Sequence, residues 1–166
     1  SGVEFDVHEG AIHYALGAIK GVGRAAVESV VAARAEGGPF RDLADFARRI
    51  DTKLVNRRTI EALIAAGALD ALEPERARAM AAIDGMLALS NRTREAALGG
   101  QSELFGGGTV QEAFRIPPVE PWAPAERLKR EHDAVGFFLS GHPLDDYEHV
   151  LKRLRVQRFA DFAQTV

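Results

Sequence analysis

Two glycines set one residue apart, Gly21 and Gly23 in Lys20-Gly21-Val22-Gly23-Arg24, constrain this chain more than any other feature of it. Glycine takes backbone angles with positive φ and presents its amide with no Cβ in front, so such a segment turns sharply and can lie against a phosphate. Leu16 and Ile19 precede the pair, and Val27, Val30 and Val31 follow at helical spacing. The spacing predicts a short apolar helix, a glycine hairpin and a second amphipathic helix, and the arrangement points toward nucleic acid.

A similar unit follows in weaker form. Gly37-Gly38-Pro39 is a firm stop for the first long helix, and Leu43, Phe46, Ala47 and Ile50 recur at i, i+3, i+4 and i+7. They predict a helix over 41–49 with Phe40 packing back on it. Asn56 is a good N-cap, and Ile60, Leu63 and Ile64 form the buried stripe of a helix ending at Gly67. The two halves read as a degenerate internal repeat, in which residues 51–55 replace the glycine hairpin and each apolar stripe covers the other. A helix over about 74–90, with Ala79, Ile83 and Leu87 on one face, is expected to support the pair.

The rest of the chain divides by composition. Val3, Phe5 and Val7 alternate before Gly10, which predicts one or two short strands over 1–12, with Ile12 beginning the ordered core. Glycine and proline concentrate over 96–121, which reads as a flexible or extended linker. Residues 125–136 read as a charged helix, Phe137-Phe138-Leu139 as a short apolar run and Ser140-Gly141-His142-Pro143 as a turn. Leu144, Tyr147, Leu151 and Leu154 form the stripe of a last helix. The fold class is mainly α, with units at 1–12, 13–72, 73–95, 96–121 and 122–166. The chain does not open on Met and reads as a piece of something longer, its end leading toward a further domain.

Charge and chemistry narrow the function. The formal net charge is −3, so DNA contact has to come from a local patch and from backbone amides. Arg48, Arg49, Lys53, Arg57 and Arg58 lie close together with Asp51 the only acid among them, a second concentration after Lys20 and Arg24. With no cysteine there is neither a disulfide nor a thiolate metal site, and no apolar run approaches the roughly 18 residues of a membrane span. A cytoplasmic location follows as the default. The hairpin lacks the Gly-Lys-Ser/Thr of a phosphate loop, and Ala26 stands at the third glycine position of a dinucleotide fingerprint. Ser140 lacks the glycine of a nucleophile elbow, His142 before Pro143 is structural, and His8, His13, His132 and His149 are scattered without ligand spacing. No bound metal is expected.

Three blocks together carry a resemblance: Tyr14-Ala15-Leu16-Gly17-Ala18-Ile19-Lys20-Gly21-Val22-Gly23, then Gly38-Pro39-Phe40-Arg41-Asp42-Leu43, then Asn56-Arg57-Arg58-Thr59-Ile60-Glu61-Ala62-Leu63. In order and spacing they resemble the tandem helix-hairpin-helix region of the alpha subunit of bacterial DNA polymerase III. The resemblance implies that Gly21, Val22 and Gly23 supply amides to the phosphates of duplex DNA, with Lys20 and Arg24 as cations nearby. The second hairpin departs from the glycine pattern, and Lys53, Asn56, Arg57 and Arg58 are its implied contacts.

Gln101-Ser102-Glu103-Leu104-Phe105 sets two large apolar side chains in a glycine-rich stretch, the look of a short linear motif whose Leu and Phe fill a partner's pocket. It is similar to the internal motif by which that subunit binds the ring-shaped sliding clamp. Residues 136–144 also look like the family, where a similar segment precedes an oligonucleotide-binding fold. The resemblance places the polymerase's metal-binding carboxylates, and its magnesium, outside this chain. The piece is then a non-catalytic holder of duplex, clamp and neighbouring subunits during DNA replication, with no cofactor of its own. An error-prone paralogue, a helix-hairpin-helix repair enzyme and a protein-interaction scaffold are the rival readings. A repair enzyme needs a catalytic carboxylate behind the hairpin, and Glu28, Glu36, Asp42 and Asp45 are poorly suited, the last two reading as ordinary surface acids.

Overall fold

The computed structural model describes residues 1–8, 10–99 and 114–157. Strands β1 (Asp6–His8) and β2 (Ala11–His13) pair antiparallel with Val7 opposite Ile12. The ribbon stands outside the core. Ile12 is 76% exposed, contrary to the expectation that the core begins there, because nothing described covers this side of a two-stranded ribbon. The core begins instead at Ala15 and Leu16, where the chain is tied back by Leu16 N–H to Gly2 O at 3.0 Å and Gly17 N–H to Val3 O at 3.2 Å.

The helices follow the expected stripes. A single 3-10 turn, Leu16–Ala18, replaces the short apolar helix before the hairpin. Then come α1 (Arg24–Gly37), α2 (Leu43–Arg49) and α3 (Arg57–Ala65). Two of these begin on side-chain caps. Asp42 accepts from Asp45 N–H at 2.7 Å, and Asn56 accepts from Thr59 N–H at 3.0 Å, satisfying amides that a helix leaves unpaired at its first turn. Val27, Leu43, Phe46, Val55, Ile60 and Ile64 are fully buried, so the stripes of the two halves do share one core.

The predicted supporting helix is two helices, α4 (Arg76–Ala81) and α5 (Ile83–Gly99). They part at Ala82, whose N–H is shared between Arg78 O and Ala79 O in a tightened last turn. Ile83 and Met86 of α5 are buried, and Ser90 Oγ donates to Ile50 O at 3.1 Å, which fastens α5 along α2. Two parts of the predicted linker are therefore ordered. Residues 96–99 belong to α5, and Phe114 and Ile116 lie half-buried on the core, the Phe114 ring against Gly85. The Gln101 to Phe105 motif lies outside the described residues.

Helix α6 (Pro124–Val135) begins with proline at its first turn and ends on Gly136 at φ +97. It docks on α3 with Glu131, Ala134 and Val135 buried. A 3-10 turn (Asp145–Tyr147) and α7 (Glu148–Arg153) follow. The last predicted stripe is not covered among the described residues: Leu144, Tyr147 and Leu154 are exposed. The fold is mainly α.

Candidate nucleic-acid interface

The first hairpin separates the roles of its two glycines. Gly21 sits at φ +81, a conformation that costs an L side chain roughly 1–2 kcal/mol, whereas Gly23 has φ −73 and is the N-cap of α1. Only one of the pair uses the left-handed freedom that the sequence suggested for both. Lys20 N–H donates to Ala134 O of α6 at 2.9 Å, and Val22 N–H closes the turn onto Ile19 O at 3.2 Å. Val22 is thus a correction to the expected donor set, its amide being engaged inside the hairpin. The N–H groups of Gly21, Gly23, Arg24 and Ala25 have no acceptor among the described residues. Together they form a small donor array at the positive end of a 14-residue helix that carries no acid in its first turn.

The second hairpin is built differently. Leu54 and Val55 donate to Asp51 O at 3.0 and 2.8 Å, and Lys53 N–H donates to Asp51 Oδ1 at 2.9 Å. The amides of Lys53, Leu54 and Val55 are consumed in holding its shape. What it leaves outward is the N-terminus of α3, with Asn56 as cap and Arg57 and Arg58 in the first turn, again without an acid there. Lys53 is exposed.

The cations fall into two groups. Arg24 is paired with Glu28 at 2.8 Å and Glu4 at 3.2 Å, and these bonds, Glu28 first, hold its guanidinium above the ordinary arginine range. Arg57 is paired with Asp84 and, at 3.6 Å, with Glu61, and Asp84 raises it in the same way. Lys20 and Arg58 have no ionic partner among the described residues. They line one open hollow of about 660 Å³ with Gly21, and Arg130 and Asp133 of α6 also line it. The pairs of Arg24 and Arg57 are solvent-exposed and screened by water and salt, so an incoming oxyanion can displace those carboxylates.

One member of the basic run, Arg49, has other work together with Asp45. Arg49 donates to Asp45 at 3.0 Å and to Gly38 O at 2.8 Å, reaches Ala33 O, and lies over the Phe40 ring at 4.3 Å. It caps the end of α1. Asp45 is no surface acid: it is buried and accepts from Arg41 N–H at 3.1 Å, from Arg41 and from Arg49, and the Arg41 backbone bond leads the groups that hold its carboxyl below the usual value. Asp42 caps α2 and Glu28 pairs with Arg24, so these acids are all engaged structurally.

Behind the hollow lies a buried cluster absent from the sequence reading. Glu131 is fully buried, accepts from Arg76 Nη1 at 3.0 Å, from Ser140 N–H at 2.8 Å and from Leu139 N–H. Arg76 also binds Asp70 at 2.8 to 3.1 Å and Ala65 O at 3.0 Å. Burial pushes the Glu131 carboxyl up, but the Ser140 and Leu139 amides and Arg76 outweigh it and hold the group below the usual range. A signal was present: Glu131 falls between Leu128 and Val135 on the inward stripe of α6. The cluster fixes α6, and with it the carbonyl that orients Lys20.

The chain matches the family described as a helix-hairpin-helix motif over residues 1–79. It is 44% identical over 161 residues to the DNA polymerase III subunit alpha of Caulobacter vibrioides, covering 97% of this chain and 14% of that protein. It is 42% identical to the subunit of the same name from Vibrio cholerae over 94% of this chain and 14% of the relative, and 40% identical to that of Pseudomonas aeruginosa over 92% and 15%. The chain spans about one seventh of the length of these curated relatives.

Proposed function

The chain belongs to the family of DNA polymerase III alpha subunits, and from that premise we propose that it holds duplex DNA by its backbone, without reading sequence, during replication. One observation carries the reading. The amides of Gly21, Gly23, Arg24 and Ala25 have no acceptor among the described residues, and Lys20 and Arg58, without an ionic partner there, line one hollow with Gly21, a set that suits phosphate oxygens.

Holding, of duplex and of partner proteins, is proposed to be this segment's contribution. No step of nucleotide transfer is assigned to this segment in the proposal. Polymerisation with magnesium is proposed for the whole subunit, in parts that this segment does not span. The Gln101 to Phe105 motif is proposed to tether the enzyme to the sliding clamp, raising its effective concentration at the primer end, with other replicative subunits as further partners. Among the described residues no helix is long and apolar enough to cross a membrane, and action in the cytoplasm is part of the same proposal.

Titration of labelled duplex with the 166-residue chain over a salt series tests the DNA reading. Neutralisation of two to four phosphates gives weak, sequence-independent binding with a log-log slope of about −2 to −4. Binding that ignores salt or prefers one sequence refutes it. For the tether, Leu104→Ala with Phe105→Ala is expected to abolish clamp binding and leave the helical circular-dichroism signal intact. Unchanged clamp affinity removes that part of the proposal alone.

A further inference from the structure

We infer that Lys20 and Arg58, one from each hairpin, close on a single phosphodiester of the bound backbone, with the Gly21 N–H as a third donor. The inference rests on the DNA-binding reading above and changes its geometry, since two hairpins that looked like two separate grips then share one contact.

Three observations converge. Both side chains line the same hollow as Gly21, and Arg58 Nε lies 4.0 Å from where a Cβ on Gly21 would stand. The second hairpin therefore reaches the turn of the first. Neither cation has an ionic partner among the described residues, while their neighbours Arg24 and Arg57 are each held by two carboxylates. An oxyanion entering here meets unengaged charge and displaces nothing. Finally, Lys20 is rooted by its backbone bond to Ala134 O, and its ammonium lies 3.7 Å from the Cβ position of Gly136 at the end of α6, so its position is set by two elements.

The rest of the rim limits the site. Asp133 faces the hollow from α6, and Glu61 lines it from α3 beside Arg57. Arg130, the remaining cation on the rim, is taken by Glu126 at 2.7 Å and lies over the Trp122 ring. Among the described residues lining the hollow, the positive charge without an ionic partner is that of Lys20 and Arg58, which suits one phosphate rather than a run of them.

A double-mutant cycle on the whole 166-residue chain tests this, with fluorescence anisotropy of a short labelled duplex over a salt series. Lys20→Gln and Arg58→Gln are each expected to weaken binding about tenfold, as for one lost charge-assisted contact. If the phosphate is shared, the double variant stays near about tenfold and loses about 0.9 of the salt slope. Two independent contacts give about a hundredfold loss and about 1.8 of slope, and that result overturns the inference while the DNA reading stands. The same holds if either single variant binds as tightly as the parent. No duplex binding by the parent chain overturns both. Both side chains are exposed, so an unchanged thermal midpoint in all three variants is expected and shows that the comparison is of binding.

Discussion

Replacing Glu131 by alanine probes whether the far wall of the hollow is held as described. Glu131 is 0% exposed and satisfies three donors, the Arg76 guanidinium and the amides of Leu139 and Ser140. Removing one partner of a buried ion pair costs about 3–5 kcal/mol, because the other charge is left in a poorly solvated place. Arg76 keeps Asp70 and Ala65 O, which moves the figure toward the lower end, and Leu139 and Ser140 are exposed enough for water to reach their amides. The expected loss is about 3 kcal/mol, a large share of a total of about 5–15 kcal/mol. Urea unfolding followed by far-ultraviolet circular dichroism reads it as a lower midpoint at unchanged slope. Changing the pair together, Glu131→Leu with Arg76→Met, is expected to stay within about 1 kcal/mol of the parent or to exceed it, since apolar residues of similar volume replace a costly desolvation. A loss below about 1 kcal/mol for Glu131→Ala refutes the argument that this cluster docks α6.

Three further outcomes follow from the same geometry. The carboxyls of Glu131 and Asp45 lie below their ordinary values of 4.5 and 3.8, so the unfolded chain binds more protons and the stability they confer, complete above those values, is lost as the pH falls through the folded ones. Unfolding midpoints measured from pH 6 downward are therefore expected to drop below about pH 4.5, and less so in Glu131→Gln. Asp84→Asn removes one of the two carboxylates that hold Arg57 and is expected to tighten duplex binding by about two- to fivefold, whereas Glu36→Gln, near the other end of α1, leaves it unchanged; equal effects in a binding titration count against displacement of a carboxylate by phosphate. Gly21→Ala is expected to cost about 1–2 kcal/mol in thermal unfolding from its positive φ. Gly23→Ser is expected to be neutral or slightly stabilising, yet to weaken duplex binding, because the new hydroxyl takes an amide of the first turn that the phosphate needs.

The helical stripes were legible because burial at a period of 3.6 residues leaves a direct mark on the sequence. Val27 and Val30, Leu43 and Phe46, Ile60 and Ile64 all lie inside as their spacing requires. Caps were legible for a similar reason: Asn56 acts on an amide three residues away, so its effect is local. Where the reading failed, the cause lay at a distance. Gly21 and Gly23 look alike in sequence, but only the path into α1 decides which takes positive φ. Ile12 has the residue type of a core position and no described neighbour to cover it. Asp45 resembles any helix acid until Arg41 and Arg49 close over it.

By itself the sequence determined the mainly helical class, the glycine turn, the repeated unit and the candidate basic residues, all of which depend on contacts a few positions apart. Only the tertiary structure decided which cations are spent. Arg24 meets Glu4 across the chain, Arg57 meets Asp84, and Arg76 meets Glu131 over 55 positions, while Lys20 and Arg58 are brought to one hollow with no ionic partner among the described residues. Charge is a property of a residue, but its availability to a phosphate depends on which opposite charges the fold carries within about 4 Å, and no local pattern encodes that.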